Sequence, residues 1–576
     1  MESDGTETSD PIKVANIFAE FFDRKVKNLA EQLPPFSPPP LKPWPSNIDK
    51  FRFQPITGPE IVKYIDELSS STAFGHDFLS NNMVRYSKFR ISTVLANITN
   101  KCFSSGKFPE FWKHARVKPL HKKGNLNEVK NYRPVALLCS LSKVIERAAF
   151  KQIYRYLSEN NFLDPRQYGF RPGHSTIHAV LDLVQVILEA KNTPSSQCKV
   201  NSLMFDLSAA FDLVDHNILI RKLANYGFDE GALGFIKSYL SGRTMSVQIG
   251  TSFSKEYPIR CGVPQGSVLG PLLYAITISD IQSINEHPKI LYADDTSCVI
   301  VARSGNELKV QSEAAINDLA SYYHKARLKL NAEKTQIVHH DGKNTVIDLL
   351  VDAQNATYQS SVSHSRLLGI QVDTGLNFRA HISNLVRDVK NNIKMFKRLP
   401  EGIDLRARRT LGIGLLISRI SYAISIYSMA SRTDLNKVRI VYHDSLRAIW
   451  GKNEGGVKKV KLDRLHRGLD MLTFSGLIKY YDCVLLNDIL THKRPFHLYK
   501  LFKTDLDCHT RSRGNVKIFF KPKNEKSNRS FLIRSIRTYN SLPSEIRKLT
   551  GEKFKKTVRQ HLFDKENQSF VSCAIN

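Results

Sequence analysis

Apolar positions along this chain follow two rhythms, one near 3.6 residues and one of two, and the switches between them outline a mixed α+β protein. In residues 12–31, Val14, Ile17, Phe18, Phe21, Phe22 and Val26 share one face at helical spacing, which predicts an amphipathic helix. Prolines 34, 35, 38, 39, 40, 43 and 45 follow and predict an extended linker that separates this helix from the main body, with a boundary near residue 50. Helical spacing returns over residues 59–86, 91–103 and 144–159, and an apolar start with a basic, Gly-ended finish at 117–125 reads as a strand running into a charged loop. Residues 199–206 read as a buried strand, 215–226 and 231–241 as helices, and 245–249 and 257–261 as strands. The apolar segment 290–301 reads as two strands folded back on each other, followed by a helix over 305–328, a strand at 335–340 and alternation at 367–372. From 380 to about 450 the pattern is almost wholly helical with Arg406, Arg408 and Arg409 interleaved. A basic run at Lys452, Lys458, Lys459 and Lys461, two more helical segments, a polar stretch over 521–529 and a last helical region complete the chain. No internal repeat is visible.

At 576 residues the chain is too long for one core and predicts three or four regions of ordinary domain size. Hydrophobic content of 41% excludes wholesale disorder. A formal net charge of +30 makes a polyanion the natural partner, although a solvated basic surface or an anionic membrane face would suit the same charge. The eight cysteines are scattered without a Cys-x-x-Cys, which disfavours a zinc knuckle or disulfide framework and fits reduced thiols in cytosol or nucleus. The polar, acidic N-terminus is not a signal peptide, and the most apolar stretch, 411–430, contains Arg419 and several serines and predicts a buried helix rather than a membrane span.

Candidate chemistry centres on Tyr292-Ala293-Asp294-Asp295, inside the predicted hairpin, and on Asp206, at the end of the strand that opens Phe205-Asp206-Leu207-Ser208-Ala209-Ala210-Phe211-Asp212. Two adjacent carboxylates at a tight turn, joined by a third at a strand end, suit a pair of divalent cations about 4 Å apart for phosphoryl transfer. An ordinary Asp-Asp hairpin turn and a strand-terminal cap account for the same residues taken singly. Three aspartates without His or Cys ligands favour magnesium, a hard cation that takes few carboxylates and keeps waters. Between these segments, Arg260 to Pro271 carries glycines at 262, 266 and 270 around Pro264 and Gln265, a backbone that lets a nucleotide or template approach closely or simply turns a strand into a helix.

In chain order, Asn131-Tyr-Arg-Pro-Val-Ala-Leu-Leu138, Gln167-Tyr-Gly-Phe-Arg-Pro-Gly-His-Ser175, Phe205 to Asp212, Gly262 to Gly270, Tyr292 to Asp295, Leu330-Asn-Ala-Glu-Lys-Thr335 and Leu367-Leu-Gly-Ile370 resemble the successive motifs of a reverse transcriptase. More narrowly, the set resembles the non-LTR, Jockey-like class of retrotransposon polymerases. Tyr539-Asn-Ser-Leu-Pro543 and neighbouring residues resemble the C-terminal segment of such elements, the N-terminal helix resembles the linker after their endonuclease, and no stretch ahead of the polymerase is long enough for that nuclease. The resemblance implies a right-hand polymerase of α+β class: an N-terminal helix and Pro-rich linker over 1–50, fingers and palm with a small antiparallel sheet over 51–375, a helical thumb over 376–455, and a basic helical region over 456–576. Only Phe74-Gly75-His76-Asp77 departs, fitting its family segment loosely.

The roles that follow are those the resemblance implies. Asp206, Asp294 and Asp295 carry two Mg²⁺ ions, or Mn²⁺ in their place. Phe211 lies under the sugar and excludes a 2′-hydroxyl, so that the product is DNA. Arg171 contacts the incoming triphosphate, Arg133 contacts substrate or braces its turn, Gln265 and Gly266 lie beside the nascent pair and template, and Lys334 neutralises or protonates departing pyrophosphate. Partners are an RNA template, a DNA primer or target and deoxynucleoside triphosphates, in nucleus or cytoplasm and away from membranes. Two rivals remain at this stage: a decayed or domesticated element protein that only binds nucleic acid, and an RNA-templated RNA polymerase, which Phe211 disfavours.

Overall fold

The computed structural model describes residues 2–3, 6–35, 48–192, 198–341, 351–353, 356–358, 362–400, 402–451, 460–504, 516–518 and 525–575. Prolines 38 to 45, Lys452, Lys458, Lys459 and the start of the 521–529 stretch lie outside them. The strands that position the site are β1 (His114–His121), β2 (Tyr132–Leu137), β3 (Lys199–Phe205), β4 (Arg243–Ile249), β5 (Lys289–Tyr292), β6 (Asp295–Ala302) and β7 (Gln336–His339). The helices used below are α1 (Pro11–Glu31), α2 (Gly58–Asp66), α3 (Asn81–Ser105), α4 (Ser140–Glu159), α5 (Thr176–Asn192), α6 (Gly270–Thr277), α7 (Gly305–Lys325), α8 (Arg379–Phe396) and α9 (Arg432–Trp450).

A four-stranded antiparallel sheet in the order β5-β6-β3-β7 lies at the centre. Strand β3 explains why its sequence runs apolar without clean alternation, because both of its faces are buried. Leu203 and Phe205 join one core with Ile61 and Ile65 of α2, Leu95 of α3, Ile145 and Ile153 of α4, Leu273 of α6 and Ile316 of α7. Val200 and Met204 point the other way, into a second core with Leu183 and Ile187 of α5, Ile382 and Val389 of α8 and Val438 and Tyr442 of α9. The two buried polar residues of the strand are satisfied: the Asn201 amide donates to Ser312 Oγ at 2.9 Å, and Ser202 Oγ pairs with His340 Nε2 at 2.8 Å.

A second sheet runs β2-β1-β4 and on to Ser252–Phe253, with Tyr257–Ile259 also paired to β4 and a parallel register between β1 and β4. Helix α1 lies on this sheet. Phe18 and Phe22 pack with Val117 of β1 and Val247 of β4, and the Phe18 and Tyr132 rings meet edge-on at 4.9 Å. The N-terminal helix is therefore docked on the body of the protein and not separated from it. Its apolar face outweighs the tendency of a proline-rich connection to hold segments apart.

Two predicted helices are broken. The helical spacing over 59–86 is interrupted: α2, started by a reciprocal Thr57–Glu60 cap, ends at Asp66, and α3 starts only after Ser80, whose hydroxyl accepts from the Met83 N–H. Between them the chain presses onto another backbone, since a Cβ on Gly75 would stand 2.7 Å from the Cys139 nitrogen. Residues 411–430 form a helix over Leu405–Gly412, a π-turn over Ile413–Ile417, a last turn over Ser418–Ser421 and then a break at Tyr422 and left-handed Ala423 (φ 54°). Serine hydroxyls at 418 and 421 bond back to Gly414 and Ile417 carbonyls, which bends helices, and the Tyr422 hydroxyl donates to the Leu368 carbonyl at 2.6 Å. No helix among the described residues is long and apolar enough to cross a membrane.

Phe18→Ala should destabilise the protein by about 3 kcal/mol in urea unfolding, because it empties a sealed site between α1 and the second sheet. A free-standing α1 would show no change.

Candidate active site

The hairpin β5–β6 turns through Ala293, which is left-handed (φ 57°), and Asp294; Tyr292 pairs with Asp295 across it. On the other side of β6 lies β3, with Thr296 opposite Phe205. One step beyond that pair the two strands lead to Asp206 and Asp295, and the charge of Asp206 acts on both Asp294 and Asp295. After Asp206, Leu207–Ser208 pairs with Lys329–Leu330, and the Asn331 N–H donates to the Asp206 carbonyl at 2.9 Å. The tight turn Ala332–Lys334, capped by the Asn331 side chain, then brings Lys334 Nζ to 3.0 Å from Asp206 Oδ2.

Three carboxylates share this end of the sheet. Burial pushes the Asp295 carboxyl up to about 6, with the charges of Asp294 and Asp206 adding to the rise and Lys334 opposing it. Asp294 is raised as well, first by burial and then by Asp206, while Lys334 and the exposed Arg133 on β2 draw it back. A site whose acids resist ionising together is one that a hard cation relieves, and an all-oxygen donor set fits magnesium or manganese. Among the described residues no three acidic, imidazole or thiol groups are drawn into ligating geometry, and the cation in contact with Asp206 is the Lys334 ammonium.

Close backbone approaches hold the surrounding loops. The segment after Leu163 adds itself to the edge of β5: the Tyr168 N–H donates to the Leu291 carbonyl at 2.7 Å, and the Leu291 N–H to the Arg166 carbonyl at 2.9 Å. Gly169 then lies so near the Asp-Asp turn that a Cβ would collide with the Ala293 nitrogen. In the Gly-rich loop, a Cβ on Gly262 would stand 2.5 Å from the Asp212 carbonyl oxygen, and the Val263 N–H donates to the Phe211 carbonyl at 2.8 Å. Gly266, at φ +82°, faces the Ala136 carbonyl of β2, which a Cβ would approach to 2.9 Å.

Of the residues singled out from sequence, Asp206, Asp294, Asp295, Lys334 and Arg133 form one electrostatic group. Phe211 follows Asp206 by five residues, half-buried against Tyr274. The Gln265 amide donates to Asp212 Oδ1 at 2.7 Å, so here it braces the loop. Arg171 is turned to its own loop, donating from Nη1 to the Asp164 carbonyl. Sequence reasoning missed Glu146. This buried carboxylate on α4 accepts from the Val268 N–H (2.7 Å), the Leu269 N–H (3.3 Å) and the Tyr239 hydroxyl (3.2 Å), fixing the Gly-rich loop where it turns into α6. An acid at helical spacing with Ala149 and Ile153, on the apolar face of an amphipathic helix, was the available signal.

The family model described as "Reverse transcriptase (RNA-dependent DNA polymerase)" matches residues 120–372, which contain every one of these side chains. Residues 120–372 belong to the reverse transcriptase family. Similar proteins include the "Probable RNA-directed DNA polymerase from transposon BS" of Drosophila melanogaster, 30% identical over 69% of this chain and 45% of that protein. The "RNA-directed DNA polymerase from mobile element jockey" of the same species is 28% identical over 69% of this chain and 44% of its own length. The "Probable RNA-directed DNA polymerase from transposon X-element" is 25% identical over 82% of this chain and 52% of that protein. The chain thus spans about half the length of these relatives. All three are named as RNA-directed DNA polymerases of transposons or mobile elements.

Two outcomes test this geometry. Gly169→Ala should destabilise the reverse transcriptase region by about 1–3 kcal/mol, because neither backbone at that contact can yield cheaply. Gly305→Ala, where the Cβ position is open, should be neutral in the same unfolding assay. For Asp295, the folded protein holds the proton more tightly than the unfolded chain, so its contribution to stability is lost as pH rises through about 6. Asp295→Asn should therefore stabilise the metal-free protein against urea unfolding above pH 6, by on the order of 1–2 kcal/mol, with the gain shrinking as pH falls.

Proposed function

We propose that this chain is an RNA-directed DNA polymerase of a non-LTR retrotransposon, extending a DNA 3′ end on an RNA template. The observation that supports the reading is the β3–β6 register, which ends beside Asp206 and Asp295, together with the charge of Asp206 acting on both Asp294 and Asp295. In this layout residues 51–375 are fingers and palm, with the four-stranded sheet as the palm floor. Residues 376–455 are a helical thumb, residues 456–576 a basic helical region, and 1–50 the N-terminal helix and linker. The net charge of +30 suits a duplex held along fingers and thumb, in nucleus or cytoplasm.

Asp206, Asp294 and Asp295 would hold two Mg²⁺ ions. The chemistry such a bound pair supplies is activation of the primer 3′-hydroxyl and neutralisation of charge on the triphosphate. The chain's own residues do the rest. Lys334, already at the acids, stands where negative charge on pyrophosphate needs a cation. Phe211 fills the space that a 2′-hydroxyl would need. Arg171 and Arg133 offer guanidinium groups to phosphate oxygens, a planar fork matched to that partner. Gln265 and Gly266 line the path of the template and nascent pair, in a loop that Gly266 lets settle against β2.

Primer extension on an RNA template with deoxynucleoside triphosphates tests the reading. Wild type should extend, and Asp294→Ala should lose roughly 10²–10³-fold or more in rate while still binding template. Template binding by both proteins with extension by neither would leave only a nucleic-acid-binding protein. Equal use of ribonucleotides by wild type, unaffected by Phe211→Ala, would mark an RNA polymerase.

A further inference from the structure

Phe211 does not stand alone. Its ring stacks on Tyr274 of α6, with centroids 4.6 Å apart and planes 28° apart, and the Phe170 ring meets its edge at 5.8 Å and 89°. Its backbone is pinned by the Val263 N–H. Tyr274 is 0% exposed, and its hydroxyl has no hydrogen-bond partner among the described residues, although Tyr323, Asp294 and Asp295 all act on it electrostatically. Phe170 is 47% exposed and left-handed (φ 60°), held there by the Gly169 contact with the Asp-Asp turn. A half-exposed phenylalanine in a backbone conformation that bulky residues avoid is kept by its surroundings.

Resting on the proposed polymerase function, we infer that Tyr274 and Phe170 are specificity-determining residues: Tyr274 is the floor that fixes the height of the Phe211 ring, and Phe170 is the stop that keeps it from swinging aside. The difference between a deoxyribose and a ribose is one oxygen atom. A ring that excludes that oxygen by contact works only if it cannot retreat by about the radius of an atom, and an aromatic side chain on one exposed face has two rotatable bonds with which to retreat. Stacking below and an edge contact beside remove both routes. Tyr274 touches no substrate in this arrangement and acts through Phe211. Its hydroxyl is not needed for the floor, which is a property of the ring.

The test is single-nucleotide extension with matched deoxyribo- and ribonucleoside triphosphates, reading the ratio of the two kcat/KM values. A general loss of activity lowers both values and leaves the ratio alone. Tyr274→Leu and Phe170→Leu should each lower discrimination by about ten-fold or more, through a lower KM for the ribonucleotide, while Tyr274→Phe should retain it. Phe170, half in solvent, can be replaced without emptying a core, so it decides the matter if Tyr274→Leu does not fold. An unchanged ratio in Phe170→Leu and in any folded Tyr274→Leu, beside a lowered one in Phe211→Ala, overturns the clamp and leaves the polymerase reading standing. An unchanged ratio in Phe211→Ala as well overturns the clamp with its premise, and absence of deoxynucleotide extension by wild type overturns the polymerase reading itself.

Discussion

Repulsion between like charges is the constraint around which this protein is arranged. Asp206, Asp294 and Asp295 would separate if their backbones were free, and they are held together by a sheet that cannot slip. One residue of slippage between β3 and β6 would turn Phe205 and Leu203 out of one core and Val200 and Met204 out of the other. The apolar packing on both faces thus fixes a register whose electrostatic consequence is unfavourable. Burial first, and mutual charge after it, raises the carboxyls of Asp294 and Asp295, and the Lys334 ammonium relieves this only in part.

The loops around those acids are positioned by missing side chains. At Gly169, Gly262 and Gly266, backbone meets backbone at distances no Cβ would permit: Gly169 against the Asp-Asp turn, Gly262 against Asp212 and Gly266 against Ala136 of β2. Glu146 completes the set from beneath, its buried carboxylate occupied by donors from the Gly-rich loop. Such contacts leave little slack. Arg171, by contrast, is tied to its own loop through the Asp164 carbonyl.

Much of this was legible from residues alone. The hairpin at 290–301, the buried strand at 199–206 and the order of motifs each carry local signals, in period and in turn chemistry, that survive without a partner. What escaped depends on partners far away in the chain. The docking of α1 needs the face of a sheet built from β1, β2 and β4. The approach of Gly75 to Cys139 and the bond from the Tyr422 hydroxyl to the Leu368 carbonyl likewise join segments far apart in the chain. Lys334 was named from its motif, but its contact with Asp206 depends on the pairing of Leu207–Ser208 with Lys329–Leu330. Glu146 was an acid on the apolar face of a helix, and nothing local said which amides it would meet.

The two-sided burial of β3 has a practical meaning for where this protein can be divided. The stretch recognisable by descent, residues 120–372, opens two residues before the end of β1 and closes before α8 begins. Excised at those limits, it would lose most of one strand of the second sheet, while α5 would still cover the Val200 and Met204 face; the part of that core built by α8 and α9 would be gone. What evolution has kept recognisable is thus narrower than what the chain needs to hold itself together, and a fragment trimmed to the ancestry would carry two unfinished cores.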